Sequence, residues 1–169
     1  MPSLKLDAID RQILYELQAD GRITNVELSK RVGISAPPCL RRVRALEEAG
    51  LINGYHADLD SRALGFDVTV YAMVGLRSQA EADLVKFETR CAEWPIVREC
   101  HMLNGEIDFL LLCVAPNLST FQDFLTDNLT TAPNVANVKT KLVIRSTKRA
   151  EGLPLDLIEA PEGERVQRG

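Results

Sequence analysis

Between Asp7 and Asp20 the apolar residues Ile9, Ile13, Leu14 and Leu17 recur at the spacing of one helix face, and Asp20-Gly21 ends the run. A second helix is predicted from Thr24-Asn25-Val26-Glu27, a Thr-x-x-Glu capping box, with Val26, Leu28 and Val32 inward and a stop at Gly33. Ser35 then reads as the N-cap of a third helix. This places Ala36, Pro37 and Pro38 in its first turn, where backbone N–H groups have no intrahelical acceptor and proline costs little. Leu40, Val43, Leu46 and Glu47 cluster on one side of that helix. Arg41 lies nearly opposite, flanked by Arg42 and Arg44. Gly50 fits the C′ position, and Leu51-Ile52 fold back on the helix end. Two helices joined through Gly33-Ile34-Ser35, with a third before them, make a helix-turn-helix.

After a connector at 53–67, which includes a strand-like piece from Tyr55 to Leu59, the periodicity changes. Val68 to Leu76 alternates as a strand. Ala80 to Trp94 is helical with Leu84, Phe87, Cys91 and Trp94 inward, and Ile96 to Leu103 is again a strand. Asn104-Gly105 signals a turn. Ile107 to Val114 is a strand, Leu118 to Thr131 a helix with Leu118, Phe121, Leu125 and Leu129 inward, and Val135 to Arg145 the last strand. Strand-helix-strand occurs twice, the ferredoxin-like βαββαβ pattern, so the class is α+β. In that architecture the first and third strands are central. The run Phe109-Leu110-Leu111-Leu112-Cys113-Val114 is apolar without alternation, and Tyr71 and Met73 add apolar bulk to the other side of the first strand. Helices cover one face only, so the second face calls for a partner subunit. The predicted organisation is a helix-turn-helix domain at 4–60, a ferredoxin-like domain with a partner-seeking sheet face at 68–148, and a flexible tail at 149–169. Leu153, Leu155 and Leu157 are that tail's only means of anchoring.

The net charge of −4 argues against nucleic acid until its distribution is considered. From Leu28 to Leu46 stand Lys30, Arg31, Arg41, Arg42 and Arg44 with no acid among them, a local basic face on an acidic chain. Cys39, Cys91, Cys100 and Cys113 are widely spaced with no C-x-x-C pair, so they read as small buried hydrophobes rather than zinc ligands or a disulfide framework. No apolar run approaches the ~20 residues needed to span a membrane. The first five residues lack a secretion-type stretch and read as the start of a mature, cytoplasmic chain.

The stretches LDAIDRQILYELQADGRITNVELSKRVGIS, CLRRVRALEEAGLI and ECHMLNGEIDFLL resemble the Lrp/AsnC family of feast/famine regulators, over residues 4 to 148. The resemblance implies a nucleoid-associated transcriptional regulator of amino-acid metabolism or transport. It would bind double-stranded DNA and a free amino acid, with homodimers assembling toward an octamer and no cofactor or metal. Asn25, Lys30, Ser35, Pro37, Pro38, Arg41, Arg42 and Arg44 are the residues expected at DNA, with Ser35 to Arg42 entering the major groove because they lie on the exposed face near the helix N-terminus. The family's G-x-x-D effector turn is Gly105-Glu106-Ile107-Asp108, where a glycine lets a zwitterion approach backbone N–H groups and a carboxylate can pair with its ammonium. Thr140 matches a strand threonine near the effector, and Val138 departs from the pattern at the preceding threonine position. Relatives of similar architecture decarboxylate sirohaem. Such an enzyme needs histidines around a tetrapyrrole, and this chain has His56 and His101 only, with the side chains of Cys100 and His101 on opposite strand faces. The alternatives are such a sirohaem-decarboxylase-like enzyme and a DNA-architectural protein without an effector.

Overall fold

The computed structural model describes residues 6–148 and 152–157 and divides the chain into two compact units. One runs to Asp58 and takes in the chain from Lys148; the other spans Leu59–Thr147.

In the first unit α1 is Ala8–Ala19, α2 Asn25–Arg31 and α3 Ala36–Glu48. Ile13, Leu28, Cys39 and Leu46 form its buried centre, ringed by Ile9, Leu14, Leu17, Val32, Ile34 and Val43. Two inward assignments are corrected. Val26 is 57 % exposed and Leu40 39 %, because Cys39, Val43 and Leu46 form the inner stripe of α3 at spacings of four and three. Gly33, at φ 73°, closes α2: its N–H reaches Lys30 O and that of Ile34 reaches Ser29 O, the paired bonds that end a helix on a left-handed residue. The α2 capping box is half made. Thr24 accepts from Glu27 N–H at 3.2 Å, while the Glu27 carboxylate turns to Arg31 at 3.5 Å. A full box sits instead on α1, where Asp7 accepts from Asp10 N–H at 2.8 Å and Asp10 from Asp7 N–H at 3.3 Å.

Arg42 Nη1 bonds both of those carboxylates, at 2.7 Å to Asp7 and 2.7 Å to Asp10, and so ties α3 to the start of α1. Burial opposes ionisation of Asp7, yet the Asp10 N–H and the Arg42 guanidinium outweigh it and hold the carboxyl below its ordinary 3.8. A depressed carboxyl stabilises the fold above its unfolded value, and that contribution is lost as pH falls through the folded value. Arg42→Ala is therefore expected to cost about 1–2 kcal/mol near neutrality, a buried-pair value discounted because the Arg42 side chain is 35 % exposed. The loss should shrink as pH falls from the ordinary 3.8 through the lowered folded value of Asp7, which denaturant melts at neutral and acid pH would reveal.

Tyr55 to Leu59 pairs with no strand among the described residues. Tyr55 instead donates its hydroxyl to Glu47 at 3.0 Å, and burial together with that carboxylate pushes the phenol up to about 12. Of the tail, residues 152–157 are described. The backbone of Leu153 bonds both ends of the Gln18 side-chain amide on α1, at 2.7 and 2.8 Å. Of the three leucines named as anchors, Leu153 and Leu157 are exposed and Leu155 alone is half-buried, so the attachment runs through the Leu153 backbone. The rest of the predicted flexible tail lies outside the described residues.

In the second unit β1 is Val68–Leu76, α4 Glu81–Glu93, β2 Val97–Met102, β3 Phe109–Ala115, α5 Leu118–Phe124 and β4 Val135–Leu142. The sheet is antiparallel in the order β2-β3-β1-β4, so β3 and β1 are central as predicted. Val70, Ala72, Val74, Phe109, Leu111 and Cys113 pack under Phe87 and Cys91 of α4 and Phe121 and Phe124 of α5. After α5 the chain widens into one π-helical turn, Leu125–Leu129, which brings Leu129 to full burial. Leu118, predicted inward, is 50 % exposed at the first helical position.

Candidate DNA-reading and effector sites

The three-helix unit presents a stripe on α3. Pro37, Arg41 and Arg44, spaced four and three apart, are exposed on one side, with Ser35 exposed at the N-cap. Lys30, Arg41 and Arg44 make no ion pair among the described residues. Arg42 and Arg31 are engaged within the domain, Arg42 with Asp7 and Asp10, Arg31 with Glu16 at 3.1 Å and Glu27 at 3.5 Å. The basic face is thus narrower than the sequence indicates: five cations reduce to three that are unpaired.

Ser35 occupies the N-cap without capping. A cap oxygen serves the second or third helical N–H, and these positions are Pro37 and Pro38, which have none. The serine hydroxyl stays free for an outside partner. The prolines also remove two of the donors with which a helix start would hold a phosphate, so anion binding here falls to side chains. Asn25 turns inward: its amide donates to Ala36 O at 2.8 Å, fastening α2 to the first turn of α3, and its Oδ1 is buried without a partner. It positions the reading helix and does not face outward with Arg41.

In the second unit the β2–β3 turn holds the G-x-x-D segment. Gly105 has φ 144°, a conformation that side chains rarely adopt, and the space beside its Cα is open. Asp108 is half-buried and employed by the fold. Its backbone N–H reaches Val74 O at 2.9 Å, Oδ2 accepts from Leu76 N–H at 2.6 Å and Oδ1 from the Gln79 amide at 2.8 Å. A carboxylate has about four acceptor positions, so two stay available to a ligand cation. Gln79 had no sequence signal; it follows β1 as an ordinary loop residue. Asn134, at φ 70°, is a similar find, its amide bracketing Ser78 at 2.9 and 2.8 Å.

Thr140 is exposed on edge strand β4, opposite Ala72, with β1 between it and the Gly105–Asp108 turn. Val138, in the departing position, faces Val74 and packs on the core. The structure therefore joins Gly105 with Asp108 and leaves Thr140 apart. Clefts of 360 Å³, lined by Lys86, Arg90 and Pro133 among others, and of 340 Å³, lined by Glu88, Cys91 and Cys100 among others, lie away from the turn.

A reading helix with unpaired arginines, in one chain with a separate βαββαβ unit carrying a glycine–carboxylate turn, defines a ligand-responsive DNA-binding regulator. Residues 6–53 match the winged helix-turn-helix DNA-binding model, and residues 69–153 match the Lrp/AsnC ligand binding domain. The leucine-responsive regulatory protein of Rhizobium meliloti is 60 % identical over 147 residues, covering 87 % of this chain and 94 % of that protein. Its counterpart in Escherichia coli K12 is 41 % identical over 152 residues, 90 % of this chain and 93 % of that one. The crystal structure of a transcriptional regulator/L-Met complex from Neisseria meningitidis superposes with a TM-score of 0.85 at 36 % identity, over 89 % of this chain and 97 % of that one. The chain belongs to the Lrp/AsnC family of transcriptional regulators, with a DNA-binding helix-turn-helix and an amino-acid-binding domain.

Proposed function

We propose that this protein acts as a leucine-responsive-type regulator, reading operator DNA with α3 and sensing a free α-amino acid at the Gly105–Asp108 turn to control genes of amino-acid metabolism or transport. The observation that carries the DNA half is the stripe Pro37, Arg41 and Arg44, exposed beside an uncapped Ser35. Asp108 carries the effector half: a half-buried carboxylate with acceptor positions left over, beside a glycine with open space. Thr140, on β4 with β1 between it and the turn, would reach an effector held at a neighbouring subunit's turn. The relatives' name and the methionine of the Neisseria complex favour an apolar side chain on the effector. The working form is a cytoplasmic, nucleoid-associated homodimer assembling toward an octamer, without cofactor or catalysis. No helix among the described residues is long and apolar enough to cross a membrane, and no cluster of His, Cys, Asp and Glu among them is placed to hold a metal.

The deciding experiment is a thermal-shift screen of the twenty amino acids, followed by operator titration with and without each hit. A ligand bound by the native state raises the midpoint by mass action. An apolar amino acid that shifts both melting and operator affinity is expected; no shift with any of them would leave an effector-free architectural protein.

Arg41→Ala is expected to weaken operator binding by ~1–3 kcal/mol if the side chain reads a base, and equally on random DNA if it holds a phosphate. Unchanged affinity on both would remove Arg41 from the interface. Arg42→Ala serves as the contrast, since its effect should appear first in unfolding.

A further inference from the structure

Two of the four cysteines meet from different elements. Cys91 lies on the inner face of α4 and is 3 % exposed. Cys100 stands in β2 opposite Leu111, on the side of the sheet that the helices cover, and is itself exposed, against the expectation that all four are buried. Both line the 340 Å³ cleft with Glu88, Val97 and Arg98. The shared cleft wall brings the α4 thiol and the β2 thiol together. The neighbouring Cys100, then burial, raises Cys91 far above an ordinary thiol, and the Cys91 side chain outweighs burial to hold Cys100 below one. Cys39 and Cys113 are fully buried, one in each unit's core, and burial raises both, Cys113 to about 12. Only one pair thus combines an accessible, more acidic thiol with a second thiol in reach.

We propose that Cys91 and Cys100 are a reactive and resolving cysteine pair, oxidised by hydroperoxides to an intramolecular disulfide between α4 and β2. The Cys100 thiolate attacks a peroxide oxygen: an S–O bond forms, the O–O bond breaks, and water or an alcohol leaves. Cys100 is then a sulfenic acid. The Cys91 sulfur attacks it, the S–S bond forms, the S–O bond breaks, and water departs with the Cys91 proton. Two thiols and one hydroperoxide give one disulfide, one water and one water or alcohol. The consequence lies along the chain. β2 ends at Met102, three residues before Gly105, so a covalent link from Cys100 to α4 fixes the strand that delivers the effector turn. This site stands apart from the DNA-reading assignment.

The test exposes the reduced full-length protein to a small excess of hydrogen peroxide, then alkylates, digests and maps it by mass spectrometry. Titratable thiols should fall from four to two. One Cys91–Cys100 linked peptide should appear and vanish with dithiothreitol, with Cys39 and Cys113 alkylated only after denaturation. In Cys91→Ser, Cys100 should be captured by dimedone as the sulfenic acid. Cross-links between chains at Cys100, over-oxidation of Cys100 with Cys91 still free, or four unreacted thiols would each overturn the proposal. The wild-type map decides even where the serine variant does not fold.

Discussion

Asp108→Ala should both lower the unfolding midpoint of the effector domain and abolish the response to the amino acid. The carboxylate accepts from Leu76 N–H at 2.6 Å and from the Gln79 amide at 2.8 Å, holding the turn onto the end of β1. Hydrogen bonds to a charged acceptor contribute about 1.5–3 kcal/mol each, and the half-burial of Asp108 discounts them. A loss of about 2–4 kcal/mol follows, with Leu76 N–H left to find water. Taken alone, a missing effector response in this variant would say little, because a loosened turn loses its ligand whatever bound it. Asp108→Asn separates the two roles. One amide oxygen still accepts from Leu76 N–H, and Gln79 can rotate its own amide to accept from the new NH₂. The fold should keep most of its stability while the effector's ammonium loses its charged partner, weakening the ligand by about tenfold or more. Should Asp108→Asn answer to the effector as wild type does, the carboxylate serves the fold alone.

How much of this was legible in sequence depends on which force set each feature. Helix and strand existence came through because apolar period is a one-dimensional signal; all three helices of the first unit and all four strands of the second appear where the spacing places them. Facing was less legible at element ends. Val26 and Leu118 sit in first turns, where a helix projects past its neighbours and periodicity no longer implies burial. The roles of polar residues were least legible, since they depend on which partner the tertiary fold brings up. By residue type and lack of nearby acids in sequence, Arg42 reads as a member of the same exposed basic face as Arg41. Only α1, thirty-odd residues earlier, makes one a structural tie and leaves the other free. Ser35 reads as a capping side chain by residue type, although the prolines that disarm it stand in the same segment.

Leu112→Glu should convert the protein from a dimer or larger assembly to a monomer without unfolding it. The pairing register puts Leu110, Leu112, Val114, Tyr71 and Met73 on the sheet face away from α4 and α5, in the two central strands. Tyr71 alone is 40 % exposed. Water on a central apolar strip of this kind is costly, and a second copy removes it. The edges of the same face carry opposite charge: Glu99 with His101 on β2, and Lys139 with Lys141 on β4. The dimer this predicts has a two-fold axis along the strands, which would set the β2 edge of one copy over the β4 edge of the other, with the acid against the lysines at both ends and the leucines together at the centre. Leu112→Glu enters this centre twice, once from each copy. A carboxylate buried there without a partner costs several kcal/mol, and the two repel, so dimer dissociation should strengthen at least ~100-fold. The monomer itself should tolerate the change, because the side chain points away from the core. Sedimentation at micromolar protein with matching circular dichroism reads both. Operator affinity should fall with the assembly, since two recognition helices on half-sites about 10 base pairs apart, or multiples of that, require the dimer. If the variant sediments like wild type, the partner covers some other surface.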